Sequence, residues 1–448
     1  MYAPGVRLAP DTPRSTSQAS PRLRRSEPGS PGGFPAEVSR EPCGLYLHVP
    51  FCASICPYCD FAVSRGGRSA RARFTAALVS EIAASASTVR DGARFDTLYL
   101  GGGTPSALEP EQLEAILTAA RAALPLDSRT FVVLEANPED VAPAAVEAWR
   151  GLGVRGVSLG VQSFDDGVLR FLGRRHDGAE AGRAVELALA AGFDWVSLDL
   201  IYGSPGEGLV RDRGRHRDVR SEKGAATSRD PVALALGDVE VAAGLGPHHI
   251  SCYQLTVHEG TMFGRARDRG RLREIGCDAQ ATLFLALHQA LSTRGYAAYE
   301  VSSFAREPRH RSRHNSKYWR HVPYLGLGPS AHSFDGRSRW WNVGEWRRWA
   351  GAVEGGTSPV GGAETLGVEE LALETVLLGL RTVDGIDLEA YRERYGVDLV
   401  EINRRAVEQA VASGLLLAKP GGLRPTTRGL AVADALSASL DLGLAMSG

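Results

Sequence analysis

The chain has 448 residues, 43% hydrophobic and 23% charged, with a formal net charge of −1. That balance suits a soluble globular protein of two or three domains and gives no global field to gather nucleic acid or an anionic membrane. It holds no apolar run of the roughly 18 residues a membrane-spanning helix needs, and no signal peptide. Of its six cysteines (Cys43, Cys52, Cys56, Cys59, Cys252 and Cys277), three crowd into one short stretch. This reads as metal binding in a reducing cytosol rather than a disulfide framework, so a cytoplasmic protein is expected.

Residues 1–40 are dominated by Pro, Ser, Arg and Gly. They offer too little apolar surface to offset the entropy of ordering, and are expected to be disordered. From Gly44 short apolar runs alternate with longer amphipathic ones. The runs Leu45–Val49, Thr97–Leu100, Phe131–Ala136, Gly156–Val161, Val196–Ile201 and His249–Leu255 read as strands. Stretches near 74–87, 110–123, 142–151, 179–191, 231–244 and 278–294 carry helical spacing. Six strands alternating with helices predict an α/β fold, a partial (β/α)6 barrel resembling an incomplete TIM barrel, over residues 41–345. A charged insertion at 209–230, rich in Arg and Asp, reads as solvated surface. From about residue 360 to 448 a smaller α+β unit is expected, with the amphipathic Glu369–Arg381, a charged helix near 387–412 and a hairpin of 414–418 with 423–427. Helices followed by a terminal hairpin suggest a winged-helix-like domain, which alone would hint at DNA; the near-neutral charge argues against nucleic acid.

In such folds the loops after the strand C-termini build the site. The first strand runs into Cys52-Ala-Ser-Ile-Cys56-Pro-Tyr-Cys59, the second into Gly101-Gly-Gly-Thr-Pro105, the third into Glu135-Ala-Asn-Pro138. The fourth ends in Gln162-Ser-Phe164, and the fifth carries Asp199 before Tyr202-Gly-Ser-Pro205. Three thiolates on one tight loop suit an iron–sulfur cluster with one iron left open. A zinc knuckle would want a second cysteine pair, and none is present. The glycine run lets backbone approach a ligand closely, Glu135 and Asp199 offer carboxylates, and Gln162 and Arg174 offer polar contacts.

Tyr46-Leu-His-Val-Pro-Phe-Cys52 with the cysteine triplet resembles radical S-adenosylmethionine (SAM) proteins of the oxygen-independent coproporphyrinogen III oxidase group. Gly160-Val-Gln-Ser-Phe164, Leu172-Gly-Arg174, Asp199-Leu-Ile-Tyr-Gly203, Ser251-Cys-Tyr253 and Tyr324-Leu-Gly-Leu-Gly-Pro-Ser-Ala-His332 extend the resemblance to roughly 44–440. It implies a [4Fe–4S] cluster on Cys52, Cys56 and Cys59, whose reduction of SAM yields a deoxyadenosyl radical. Gly102, Gly103 and Thr104 would then sit by the methionine moiety and Glu135 by the ribose. Tyr46 and Tyr58 would lie against the cofactor, and Gln162, Arg174 and Asp199 would match contacts to a second SAM. It also implies an electron donor such as flavodoxin or ferredoxin.

Two places separate the branches of this group. The oxidases resemble Cys-x3-Cys-x2-Cys-x-Cys, and here the last position is Phe61, as in the heme-chaperone branch. His314-Asn-Ser-Lys-Tyr-Trp319 resembles that branch's His-Asn-x-x-Tyr-Trp signature. The resemblance therefore implies a protein that binds heme as cargo and hands it to an acceptor, with peripheral membrane contact through that acceptor. An imidazole can ligate heme iron, and flanking aromatics can stack on a macrocycle. His314, Asn315, Tyr318 and Trp319 are the heme candidates, with His48, His332 and Cys252 also open as iron ligands. The alternative remains oxidative decarboxylation of coproporphyrinogen III in porphyrin biosynthesis.

Overall fold

The computed structural model describes residues 34–36, 41–204 and 230–444, and in it the expected alternation is realised. The apolar runs form β1 (Cys43–Val49), β2 (Phe95–Gly102), β3 (Leu126–Ala136), β4 (Gly156–Gln162), β5 (Trp195–Tyr202) and β6 (His249–Gln254). They pair in that order and all run parallel. The intervening helices are α1 (Arg68–Ser85), α2 (Pro110–Ala123), α3 (Pro143–Gly151), α4 (Asp166–Phe171), α5 (Gly178–Ala190) and α6 (Pro231–Leu245). Their starts follow from side chains. Asp165 accepts the amides of Gly167 and Val168, Asp177 and Glu180 form a capping box, and Asp230 precedes Pro231.

The sheet does not stop at six strands. After β6 come α7 (Met262–Asp268), α8 (Cys277–Thr293), β7 (Ala297–Ala298) and β8 (Ser303–Ala305), then α9 (Asn315–Trp319). The chain then lays down β9 (Tyr324–Leu327), β10 (His332–Phe334), β11 (Ser338–Asn342), α10 (Trp346–Glu354) and β12 (Val360–Thr365). The sheet order is β12-β11-β10-β9-β1-β2-β3-β4-β5-β6-β8-β7. It is open, as a partial barrel must be. β9 runs parallel to β1, with Leu45 opposite Leu325. α1 is pinned to this extension by Glu81, whose buried carboxylate accepts from Gly328 N (2.7 Å) and Asn342 Nδ2 (2.6 Å).

The second unit has its own apolar core, including Val376, Leu380, Tyr391, Leu399, Val407, Leu416 and Leu423. It comprises α11 (Val368–Leu380), β13 (Ile386–Asp387), α12 (Leu388–Tyr395), α13 (Leu399–Ile402), α14 (Arg404–Ala412), β14 (Leu416–Lys419), β15 (Gly422–Pro425), α15 (Thr427–Leu430) and α16 (Ala433–Ala438). Helix, strand, helices and hairpin in that order give the winged-helix-like arrangement. Three sequence expectations are corrected. Residues 360–365 belong to the edge of the large sheet. The charged stretch 387–412 is three helices, because Gly396 takes a left-handed φ of 71° and Asp398 caps a new start. Phe34, inside the N-terminal segment expected to be disordered, is 2% exposed and stacks on Phe95 at 5.9 Å. The rest of residues 1–40, apart from Pro35 and Ala36, and residues 209–229 of the charged insertion lie outside the described residues; its last residue, Asp230, caps α6.

Candidate functional site

The C-terminal ends of β1–β6 surround a cleft of about 1380 Å³, counting its open mouth. Cys52, Cys56 and Cys59 line it together with Tyr58, Gly102, Gly103, Thr104, Glu135, Gln162, Arg174 and Asp199. Independent loops of the sequence thus meet in one place. Tyr46 does not line the cleft. It is buried below, its hydroxyl 3.1 Å from His48 Nδ1.

The cysteine loop hangs from the end of β1 and is closed at its base by Ser64 N to Pro50 O (2.7 Å) and Cys52 N to Ser64 O (3.0 Å). Phe51 plugs the space beneath it, with ring centroids 5.4 Å from Phe74 and 5.3 Å from Trp346. His48 Nε2–H donates to Ala62 O on the far side of the loop. The sulfurs are polarised by donors: Thr104 Oγ1 lies 3.5 Å from Cys52 Sγ and Arg174 Nη1 3.6 Å from Cys56 Sγ. Burial pushes the Cys52 thiol up and the Cys59 thiol up to about 11. Loading with metal would therefore displace protons. Among the described residues no three His, Cys, Asp or Glu side chains converge on a single metal ion. A four-iron cube takes each thiolate on a different iron, so the three cysteines of one loop need not meet at a point to hold it.

The glycine run works differently from the simplest sequence reading. Gly102 N already donates to Glu135 Oε2 (3.1 Å) and Gly103 N to Val49 O (2.7 Å). What the run requires is closeness. A Cβ on Gly103 would lie 2.8 Å from Phe51 O, and one on Gly102, whose φ is +109°, 2.5 Å from the His48 ring. Facing this turn, Glu135 Oε1, Asp199 Oδ1 and Arg174 Nε are buried with no hydrogen-bond partner. Buried polar atoms are rarely left so: the two carboxylate oxygens fit hydroxyl or ammonium donors of a polar ligand, and Arg174 Nε fits an acceptor such as a carboxylate. Burial, and then the neighbouring Asp199, push Glu135 up to about 7. Gln162 sits at φ 67°, strained backbone for a non-glycine residue, at the same rim.

Some site residues were not singled out from sequence. Asn137 bridges Thr104 Oγ1 (3.2 Å) and Arg174 Nη2 (2.6 Å), and its place after β3 was the available signal. Asp60, Tyr253 and His258 also line the cleft.

The heme candidates are not brought to this rim. His314 precedes α9 near the opposite end of the strands, 2% exposed. Its Nδ1 pairs with Thr97 Oγ1 and its Nε2 with Tyr318 OH, both at 2.9 Å. Burial holds the ring neutral, with a pKa lowered to about 3. Asn315 Oδ1 is buried without a partner, and Trp319 packs edge-on against Tyr299 at 5.7 Å. His314 borders a second cavity, of about 990 Å³, lined also by Phe131, Trp195, His248 and His310. Cys252 is buried in the core, and His332 stacks on Trp341 at 5.6 Å.

A parallel open barrel with a cysteine triplet on its first loop and a small helical C-terminal unit is the build of a radical SAM protein of the coproporphyrinogen oxidase type. The Radical SAM superfamily matches residues 46–211 and the HemN C-terminal domain residues 366–432. The Escherichia coli coproporphyrinogen III oxidase HemN aligns with a TM-score of 0.72 over 89% of each chain, at 19% identity. A Mycobacterium tuberculosis protein, "Heme chaperone HemW", is 37% identical across 90% of this chain and 96% of its own length. The Escherichia coli protein of that name is 34% identical across 66% of this chain and 71% of its own. The chain belongs to the HemW heme chaperone family. No helix among the described residues is long and apolar enough to cross a membrane.

Proposed function

We propose that this protein binds heme and passes it to an acceptor protein, with a [4Fe–4S] cluster on Cys52, Cys56 and Cys59 and SAM in the adjoining cleft. The observation that carries the cofactor reading is the meeting of three cysteines with partnerless Glu135, Asp199 and Arg174 atoms in one cleft. When bound to a reduced cluster, SAM supplies reductive cleavage of a carbon–sulfur bond. The chain's own residues do the rest. Thr104 and Arg174 donate toward the sulfurs, Glu135 and Asp199 await hydroxyl or ammonium donors, and Tyr58 walls one side. A flavodoxin- or ferredoxin-like donor would supply electrons, and membrane contact would come through a membrane-bound acceptor.

Heme as cargo is supported by the named relatives and by Phe61, which stands where the oxidases resemble a fourth cysteine. The retained cleft favours a second reading, coproporphyrinogen III decarboxylation. Anaerobic reconstitution separates the two. The expected result is one heme bound per chain and no protoporphyrinogen from coproporphyrinogen III, SAM and reductant. Multiple turnovers would establish the oxidase instead.

A further inference from the structure

We propose that the second cavity, at the entry ends of the strands, is an oxyanion site that grips the propionate carboxylates of the tetrapyrrole and leaves its metal untouched. This rests on the heme reading above and gives the cargo a holding point. Phe131 lines the cavity from β3, Arg155 from just ahead of β4, Trp195 from the start of β5 and His248 from just ahead of β6. The segment 309–313 closes it, with arginine at every second position. His310 and Ser312, between the arginines, are buried and pinned. Trp195 Nε1 donates to His310 O (2.8 Å), and Ser312 N donates to Tyr299 OH (3.0 Å). Arg155, Arg309, Arg311 and Arg313 thus line one cavity with a single carboxylate, Asp194.

The imidazoles of this cavity can only donate. His248 Nδ1 accepts from Val196 N at 3.0 Å, so the neutral ring carries its proton on Nε2. His310 Nε2 faces the donor Arg309 Nε at 3.4 Å, which puts its proton on Nδ1, and that atom is buried without a partner. His314 has both nitrogens engaged by hydroxyls. No lone pair is left to ligate iron, whereas N–H groups and guanidinia suit an oxyanion. Each guanidinium already faces a carboxylate: Arg155 with Asp194, Arg309 with Glu307, Arg311 with Asp384 and Arg313 with Asp96. These pairs lie toward the surface, the Asp384 side chain 70% exposed, where an ion pair is weak and each arginine keeps N–H groups to spare. Arg155 and Arg313 also lie over the Phe131 ring, at 5.1 and 5.4 Å. Cations and aromatic surface so combined match a flat apolar body with acids on one edge.

The test titrates the full-length chain with hemin, with metal-free deuteroporphyrin IX, which keeps both propionates, and with the dimethyl ester of that porphyrin. Wild type is expected to bind the metal-free diacid and to hold the ester at least about 10-fold more weakly. Arg311→Gln and Arg313→Gln should each raise the dissociation constant for hemin and diacid on the order of 10-fold, with the absorption bands that report the iron's ligands unchanged. Asp384→Asn breaks the same ion pair from its other side and frees Arg311, so it should tighten binding by about 2-fold. A purely structural ion pair would make Arg311→Gln and Asp384→Asn weaken binding alike, which would overturn the assignment. So would a diacid that fails to bind where hemin does, or an ester held as tightly as the diacid. Inorganic phosphate, followed by phosphorus NMR, covers the case of a small free anion: tight phosphate binding lost in Arg311→Gln, with porphyrin affinity unchanged, would also overturn it. Each of these results leaves heme binding standing. A wild-type protein that takes up neither hemin nor diacid would instead remove the heme reading itself.

Discussion

His314 offers a sharp contrast between a ligand and a structural pin. His314→Ala removes an imidazole that stacks on Tyr99 at 5.2 Å and bridges Thr97 to Tyr318. Two buried hydroxyls lose a partner, at ~1–3 kcal/mol each. A cavity on the order of 50 Å³ adds about 1 kcal/mol. The expected destabilisation is therefore about 3–7 kcal/mol near pH 7.5. The pH dependence has a definite sign. The folded pKa is about 3 against an ordinary 6.5, so the ring's contribution is complete above 6.5 and declines as pH falls below it. At pH 5 the unfolded imidazole is charged and the folded one is not, which removes about 2 kcal/mol from the wild type alone. Urea denaturation of the two proteins at pH 7.5 and pH 5 should show the gap narrowing by that amount. Equal stability at both values, with heme binding abolished, would refute the pin.

Three other outcomes follow from the same coordinates. Gly102→Ala forces a side chain into φ +109° and 2.5 Å from the His48 ring, and should cost ~1–3 kcal/mol or more by calorimetry; unchanged melting would contradict it. Trp349→Ala empties a fully buried site 5.5 Å from Phe74, and should cost about 3–5 kcal/mol in urea. Glu135, raised to about 7 by burial and Asp199, contributes most when protonated, and that contribution fades as pH climbs from 4.5 through 7. Glu135→Gln should therefore stabilise the ligand-free protein by about 3 kcal/mol at pH 8 and leave it unchanged at pH 4, while weakening SAM binding.

The central sheet was legible because each of its strands is a short apolar run bounded by glycine or proline, and because helical spacing fills the gaps. The extension was not. β7, β8 and β10 have two or three residues each, too few for any period to register. The cleft was legible from loop placement alone, since strand C-termini of a parallel sheet share one side. Asn137 escaped because its role is to join Arg174 to Thr104, a contact across loops. The place of the His314 motif was hidden for a related reason. Sequence can mark an unusual cluster of His, Tyr and Trp, but not which end of the barrel receives it. His258 carries no motif at all, and only the fold sets it beside Asp60.

The pairing of β9 with β1 bears on the order of assembly. Leu45 and Leu325 face each other from about 280 residues apart, so one flank of the strand that carries the cysteine loop stays open until most of the chain has left the ribosome. Until then β1 presents an unpaired edge, and the glycine turn at 326–328 that backs His48 is missing. A growing chain is thus in no position to grip iron and sulfide firmly before its C-terminal third emerges. Truncations ahead of residue 324 should accumulate as sticky, cluster-poor protein even though every cysteine is present.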